Sequence, residues 1–131
     1  MIASKIDILI VEDDAVTLMR SEKKAKNVGL TVKSFSSGIE ALKYLKGLDP
    51  KDIPDAALVD MRLSTDNNNA ENLTPPQIFE IYCQHGKTKN FRFYTGTFSA
   101  HDGGVKNITK AKILLKGDLV GFSNFITSLN D

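Results

Sequence analysis

The chain has a single cysteine, Cys83. No intrachain disulfide can form, which suits a reducing compartment. It also has almost no excess of charge: 17 basic and 16 acidic residues leave a formal net charge of +1. Bulk electrostatic attraction to nucleic acid or to an anionic membrane is therefore not expected. No apolar run is long enough to span a bilayer. The run Ile6–Val11 is too short for the core of a secretory signal and leads straight into acids. The expected location is cytoplasmic. No Cys/His spacing fits a zinc site, and His85 and His101 stand alone in polar surroundings. No phosphate-cradling glycine motif follows the first apolar run.

What is present is the composition of one ordinary globular domain. The 131 residues are 41% hydrophobic and 25% charged, enough for one core and not for two. Short apolar runs alternate with amphipathic stretches. "KIDILIV" (Lys5–Val11), "LTVKSF" (Leu30–Phe35), "DAALVDM" (Asp55–Met61), "NFRFYT" (Asn90–Thr95) and "KILL" (Lys112–Leu115) read as five strands. Four stretches between and after them have helical spacing. The first starts at Asp14, carries Ala15, Leu18, Met19, Glu22 and Ala25 as its face, and stops at Gly29. The second places Ile39, Leu42 and Leu45 together and ends at Gly47 and Pro50. The third opens with Thr74 as a cap, Pro75 in the first turn and Gln77 at capping-box spacing. The last is capped by Asp118, with Leu119, Phe122, Ile126 and Leu129 facing inward. The segment between the fourth and fifth strands is a poor helix, broken by Gly103 and Gly104. Residues 65–72 read as an Asn-rich loop.

Strand and helix alternation with right-handed crossovers implies an α/β fold: a doubly wound parallel sheet covered on both faces. In such sheets, sites form at the carboxyl ends of the strands. Four segments deliver complementary chemistry there. Glu12 and Asp13 end the first strand, Asp60 the third, Thr95 the fourth and Lys116 the fifth. Crowded carboxylates resist joint ionisation, and a divalent cation relieves this. Oxygen-only ligands favour Mg²⁺ or Mn²⁺. Lys116 and Thr95 add an ammonium and a hydroxyl, and Asp60 lies where it can attack phosphorus. Taken singly each residue has a plain structural reading: an acid in a polar turn, a strand-end threonine, a surface lysine. The weight lies in their common edge.

These residues resemble the receiver domain of two-component response regulators. "ILIVEDD" resembles the family's first strand and acid pair, "ALVDMRL" its phosphoacceptor strand, "FRFYTG" its threonine strand and "ILLKGD" its lysine strand. The resemblance covers essentially all of residues 1–131 as a single receiver domain with no output domain. It implies a flavodoxin-like five-stranded sheet in the order 2-1-3-4-5. It implies that Asp60 accepts a phosphoryl group from a histidine kinase or phosphotransfer protein. Glu12, Asp13, Asp60 and the backbone carbonyl of Arg62 would hold Mg²⁺. Lys116 would pair with a phosphoryl oxygen, and Thr95 would carry the change outward to a protein target. The chain would catalyse only its own phosphorylation and dephosphorylation.

Several positions depart from that pattern. Gly117 stands where the family usually has proline, and Ile113 where it often has an aromatic switch residue. The usual Pro-x-x-Asp-Gly turn after the phosphoacceptor strand is replaced by Leu63, Ser64 and the Asn-rich loop. That loop reads either as a solvated insertion or as a cover for Asp60. Arg62 reads either as a rim charge or as a contact for the entering phosphate, and Thr97 sits comparably. Two other functions stay open. One is a pseudo-receiver that binds partners without phosphoryl chemistry. The other is a metal-dependent phosphohydrolase, against which Arg62 stands where a second acid would be needed.

Overall fold

The computed structural model describes residues 5–61, 74–96 and 112–130. Five strands form one parallel sheet: β1 (Ile8–Val11), β2 (Val32–Phe35), β3 (Ala56–Asp60), β4 (Asn90–Thr95) and β5 (Ile113–Leu115). Their spatial order is β2-β1-β3-β4-β5, and every pairing is parallel. The described helices are α1 (Ala15–Asn27), α2 (Gly38–Lys46), α3 (Thr74–Gln84) and α4 (Leu119–Ser128). A short 3₁₀ turn, Pro50–Asp52, precedes β3. This is the α/β, flavodoxin-like arrangement expected from the alternation.

Side chains along a strand point alternately to opposite faces, and the core divides accordingly. Leu9, Val11, Ala57, Val59, Phe91 and Phe93 pack under α2 and α3 against Ala41, Leu45, Ile78 and Tyr82. Ile8, Ile10, Ala56, Leu58, Tyr94 and Leu114 pack under α1 and α4 against Ala25, Phe122, Phe125 and Ile126. Helices thus cover both faces. The central strands β1 and β3 are buried throughout, which is why their sequences read as unbroken apolar runs.

The helix ends follow their residues. Asp14 caps α1 by accepting from the Thr17 N–H at 2.9 Å, and Ser37 caps α2 by accepting from the Glu40 N–H at 3.4 Å. After α1 the chain turns at Gly29, whose φ of +93° suits a residue without Cβ. Asp118 caps α4 as expected, accepting from the Gly121 N–H at 2.9 Å.

The buried faces of the helices differ in detail from the sequence expectation. On α1 the inward stripe is Leu18, Ser21, Ala25 and Val28, while Met19 and Ala15 face solvent. On α2, Gly38 and Ala41 join Leu42 and Leu45, and Ile39 is exposed. On α4, Phe125 joins Phe122 and Ile126 in the core, and Leu119 is exposed. Met19 and Ile39 each follow an inward residue, Leu18 and Gly38, by one position and are thereby turned out of the buried stripe. Arg62, the Asn-rich loop 65–72, Thr97, His101 and the glycine-broken segment fall outside the described residues.

Candidate functional site

Strand register assembles the site. Val11 pairs with Val59, so Glu12 and Asp60, each one residue further, arrive side by side. Asp60 pairs with Tyr94, placing Thr95 one step beyond. Thr95 pairs with Leu115, and the next residue, Lys116, donates its N–H to the Thr95 carbonyl at 2.8 Å. Continuing the strand alternation, Glu12, Asp60 and Lys116 share the parity of the α1/α4 face. Their side chains meet there.

The Lys116 ammonium lies 2.6 Å from Glu12 Oε1 and 3.2 Å from Asp60 Oδ2. Glu12 is 1% exposed, Asp60 5% and Thr95 4%, whereas the Lys116 side chain keeps 27%. Carboxylate oxygens of Glu12, Asp13 and Asp60 all lie within 4.8 Å of one another. The Asp14 N–H donates to Glu12 Oε2 at 3.1 Å. Glu12 Oε1 is fully buried, and the Lys116 ammonium is its close partner. A buried carboxylate is costly to ionise, and the adjacent ammonium offsets part of that cost.

Titration behaviour follows from this packing. Burial, reinforced by neighbouring Asp60, lifts the Glu12 carboxyl from its usual 4.5 to about 7. Burial alone would lower the Lys116 ammonium, but Glu12 and Asp60 outweigh it and the net shift is upward. Asp14 is held below the usual range, first by its hydrogen bonds from Thr17. Three carboxylates thus stand close together beside the Lys116 ammonium. Three carboxylate oxygens within 4.8 Å of one another are a donor set that fits a small divalent cation.

The structure therefore brings together Glu12, Asp13, Asp60 and Lys116, with Thr95 adjacent at the same edge. Sequence reasoning missed three supporting groups. Tyr94 lies beneath Lys116, the ammonium 5.7 Å from the ring centroid, although its sequence position indicated only strand packing. Ser21, buried on α1, hydrogen-bonds the Tyr94 hydroxyl. The Asp14 amide orients Glu12. Of these only Ser21 left a signal, three residues past Leu18 and four before Ala25, and its polar type masked it.

No protein-family model matches the chain, and no curated protein matches it. Among solved structures it is similar to a fusion described as the yeast Spc42 trimeric coiled coil joined to another structure. The match has a TM-score of 0.64 at 20% identity and covers 93% of this chain and 78% of that one. That likeness is one of fold. No described helix is long and apolar enough to cross a membrane.

Proposed function

We propose that this chain is a receiver-type module that accepts a phosphoryl group on Asp60. The observation that carries the reading is the meeting of Glu12, Asp13 and Asp60 within 4.8 Å beside the Lys116 ammonium, at the carboxyl edge of a 2-1-3-4-5 sheet. In the proposed step an Asp60 carboxylate oxygen attacks the phosphorus of a phosphohistidine on a kinase or phosphotransfer protein. A P–O bond forms as the P–N bond breaks. The imidazole leaves with the electron pair and takes up a proton. Lys116, already within reach of Asp60, would pair with a phosphoryl oxygen, and Thr95 would donate its hydroxyl to another. Mg²⁺ or Mn²⁺ held by Glu12, Asp13 and Asp60 would neutralise the two anions that must approach. The modified state would then favour a conformation read by a protein target. The chain is an acceptor in this scheme and turns over no separate substrate.

Incubation with acetyl phosphate and Mg²⁺ tests the proposal. The expected result is a mass gain of one phosphoryl group that disappears in Asp60→Asn. A phosphohistidine donor serves as a second arm. Failure with both donors would overturn it.

A second reading, a pseudo-receiver without phosphoryl chemistry, is favoured by one observation. Ile113, at the position of the family's aromatic switch, packs against the α2/α3 core. Partner binding that is indifferent to Asp60→Asn, with no phosphoryl gain from either donor, would select it.

A further inference from the structure

Beside the acidic cluster, α1 and α4 leave a two-part groove. The upper part, of about 120 Å³, is lined by Thr17, Arg20, Lys24, Tyr94, Lys116 and Phe122, among others. The lower part, of about 310 Å³, shares Lys24 and Phe122 and continues along Val28 and Ile126. No carboxylate lines either part among the described residues.

The upper part is built for charge. Its floor is a pair of aromatic rings, Tyr94 and Phe122, with centroids 5.6 Å apart. Each ring holds an ammonium: Lys116 lies 5.7 Å from the Tyr94 centroid and Lys24 5.2 Å from that of Phe122. Tyr94 shares this lining with Ser21. Arg20 adds a planar guanidinium with a fork of donors. Lys116 is already drawn to Glu12 and Asp60, so Arg20 and Lys24 supply most of the charge open to a guest. The lower part is different. Phe122, Val28 and Ile126 give it an apolar wall, with Asn27, Ser123 and Thr127 at its polar margin. Its volume lies at the small end of the range for organic ligands, roughly 300–1,000 Å³.

We propose that this groove binds an organic phosphate monoester. The phosphate sits between Arg20 and Lys24, and a small apolar body lies along Phe122, Val28 and Ile126. This site is separate from phosphoryl transfer to Asp60 and does not depend on that reading. A phosphate monoester carries about −1.5 to −2 charge over three terminal oxygens, against a single charge over two in a carboxylate, and so matches two cations better.

Phenyl phosphate is the probe, with inorganic phosphate and sodium chloride at matched ionic strength as controls. Titration of the full chain without Mg²⁺ is followed by amide chemical shifts. Saturable shifts confined to α1 and α4 are expected, with phenyl phosphate binding tighter than inorganic phosphate. The double variant Arg20→Gln, Lys24→Gln should weaken binding by at least about tenfold, the loss expected for one charge-assisted hydrogen bond. The proposal is overturned by shifts that fail to saturate, by shifts that chloride reproduces, or by equal affinity for the two phosphates. Unchanged affinity in the double variant also overturns it. Acetyl phosphate labelling of the same variant reports separately on Asp60.

Discussion

Glu12 is ionisable, almost wholly buried, and lifted from 4.5 to about 7 chiefly by loss of hydration. Below pH 4.5 it is neutral in both folded and unfolded chains and adds no pH dependence. Between 4.5 and 7 the unfolded chain releases the proton while the folded chain retains it, so stability falls as pH rises. Above 7 the full penalty is present, on the order of 3 kcal/mol at about 1.4 kcal/mol per pH unit. The metal-free protein should therefore show a melting temperature that declines across that window, and Glu12→Gln should flatten the decline. Asp14 and Asp55 are shifted downward, so their contribution is present above 3.8 and lost in more acidic solution, outside the window. Thermal melts of both proteins across this pH range make the check; equal slopes would contradict the assignment. Tyr82 poses the complementary case. Its hydroxyl is buried in the α2/α3 core without a hydrogen-bond partner, and burial raises its pKa. Tyr82→Phe removes an unsatisfied group and little volume. It should leave stability unchanged or raise it by about 1 kcal/mol in urea unfolding. At this scale the acids and Lys116 were legible because each follows an apolar run. Tyr94 was not, because a buried aromatic in a strand looks the same whether or not a cation rests on it.

The elements show where periodicity is enough and where it is not. Take α4. Asp118 caps it through the Gly121 N–H, and Asp118→Ala should cost about 1 kcal/mol. Gly121→Ala would ordinarily gain about 1 kcal/mol in a helix interior. Here a Cβ at Gly121 would strike the Asp118 carboxylate itself. The cap must move, and the gain should vanish. In an Asp118→Ala background nothing remains to strike and the gain should return. A double-mutant cycle by denaturant melting measures this coupling; additive effects would show that cap and glycine are independent. The cap was readable from sequence because an acid preceded an apolar periodic stretch. The steric conflict was not, since it depends on the rotamer of the capping side chain. The same distinction runs through the molecule. β1 and β3 were legible to within a few residues because a strand buried on both faces reads as a near-continuous apolar run, and β4 because Phe91, Phe93 and Tyr94 favour a strand. Helix faces slipped at Met19, Ile39 and Leu119, all exposed. Small or polar residues such as Gly38 and Ser21 hold part of each buried stripe, so apolar spacing alone set its centre too far round the helix. Arg62 and the Asn-rich loop offered no periodicity to read in either direction.

Across the whole molecule, two strand ends hold the acidic cluster on a sheet whose two faces are separately packed. The carboxylates cannot relax apart without disturbing β1 or β3, both fully buried. Folding therefore works against the mutual repulsion of Glu12, Asp13 and Asp60, which the Lys116 ammonium opposes. A cation that binds this arrangement and not the unfolded chain stabilises the fold by mass action, about 2.7 kcal/mol at a hundredfold excess over its Kd. Mg²⁺ should accordingly raise the melting temperature by several degrees, well beyond sodium chloride at equal ionic strength. The increment should be larger above pH 7 than below 4.5, because below 4.5 bound Mg²⁺ must displace the Glu12 proton while above 7 that proton is already gone. Asp13→Asn removes one ligand while leaving the Lys116 contacts to Glu12 and Asp60 in place, and should abolish most of the increment. Scanning calorimetry of the two proteins with and without Mg²⁺ decides the matter. An increment that survives Asp13→Asn, or that shows no pH dependence, would place the cation somewhere other than this strand edge.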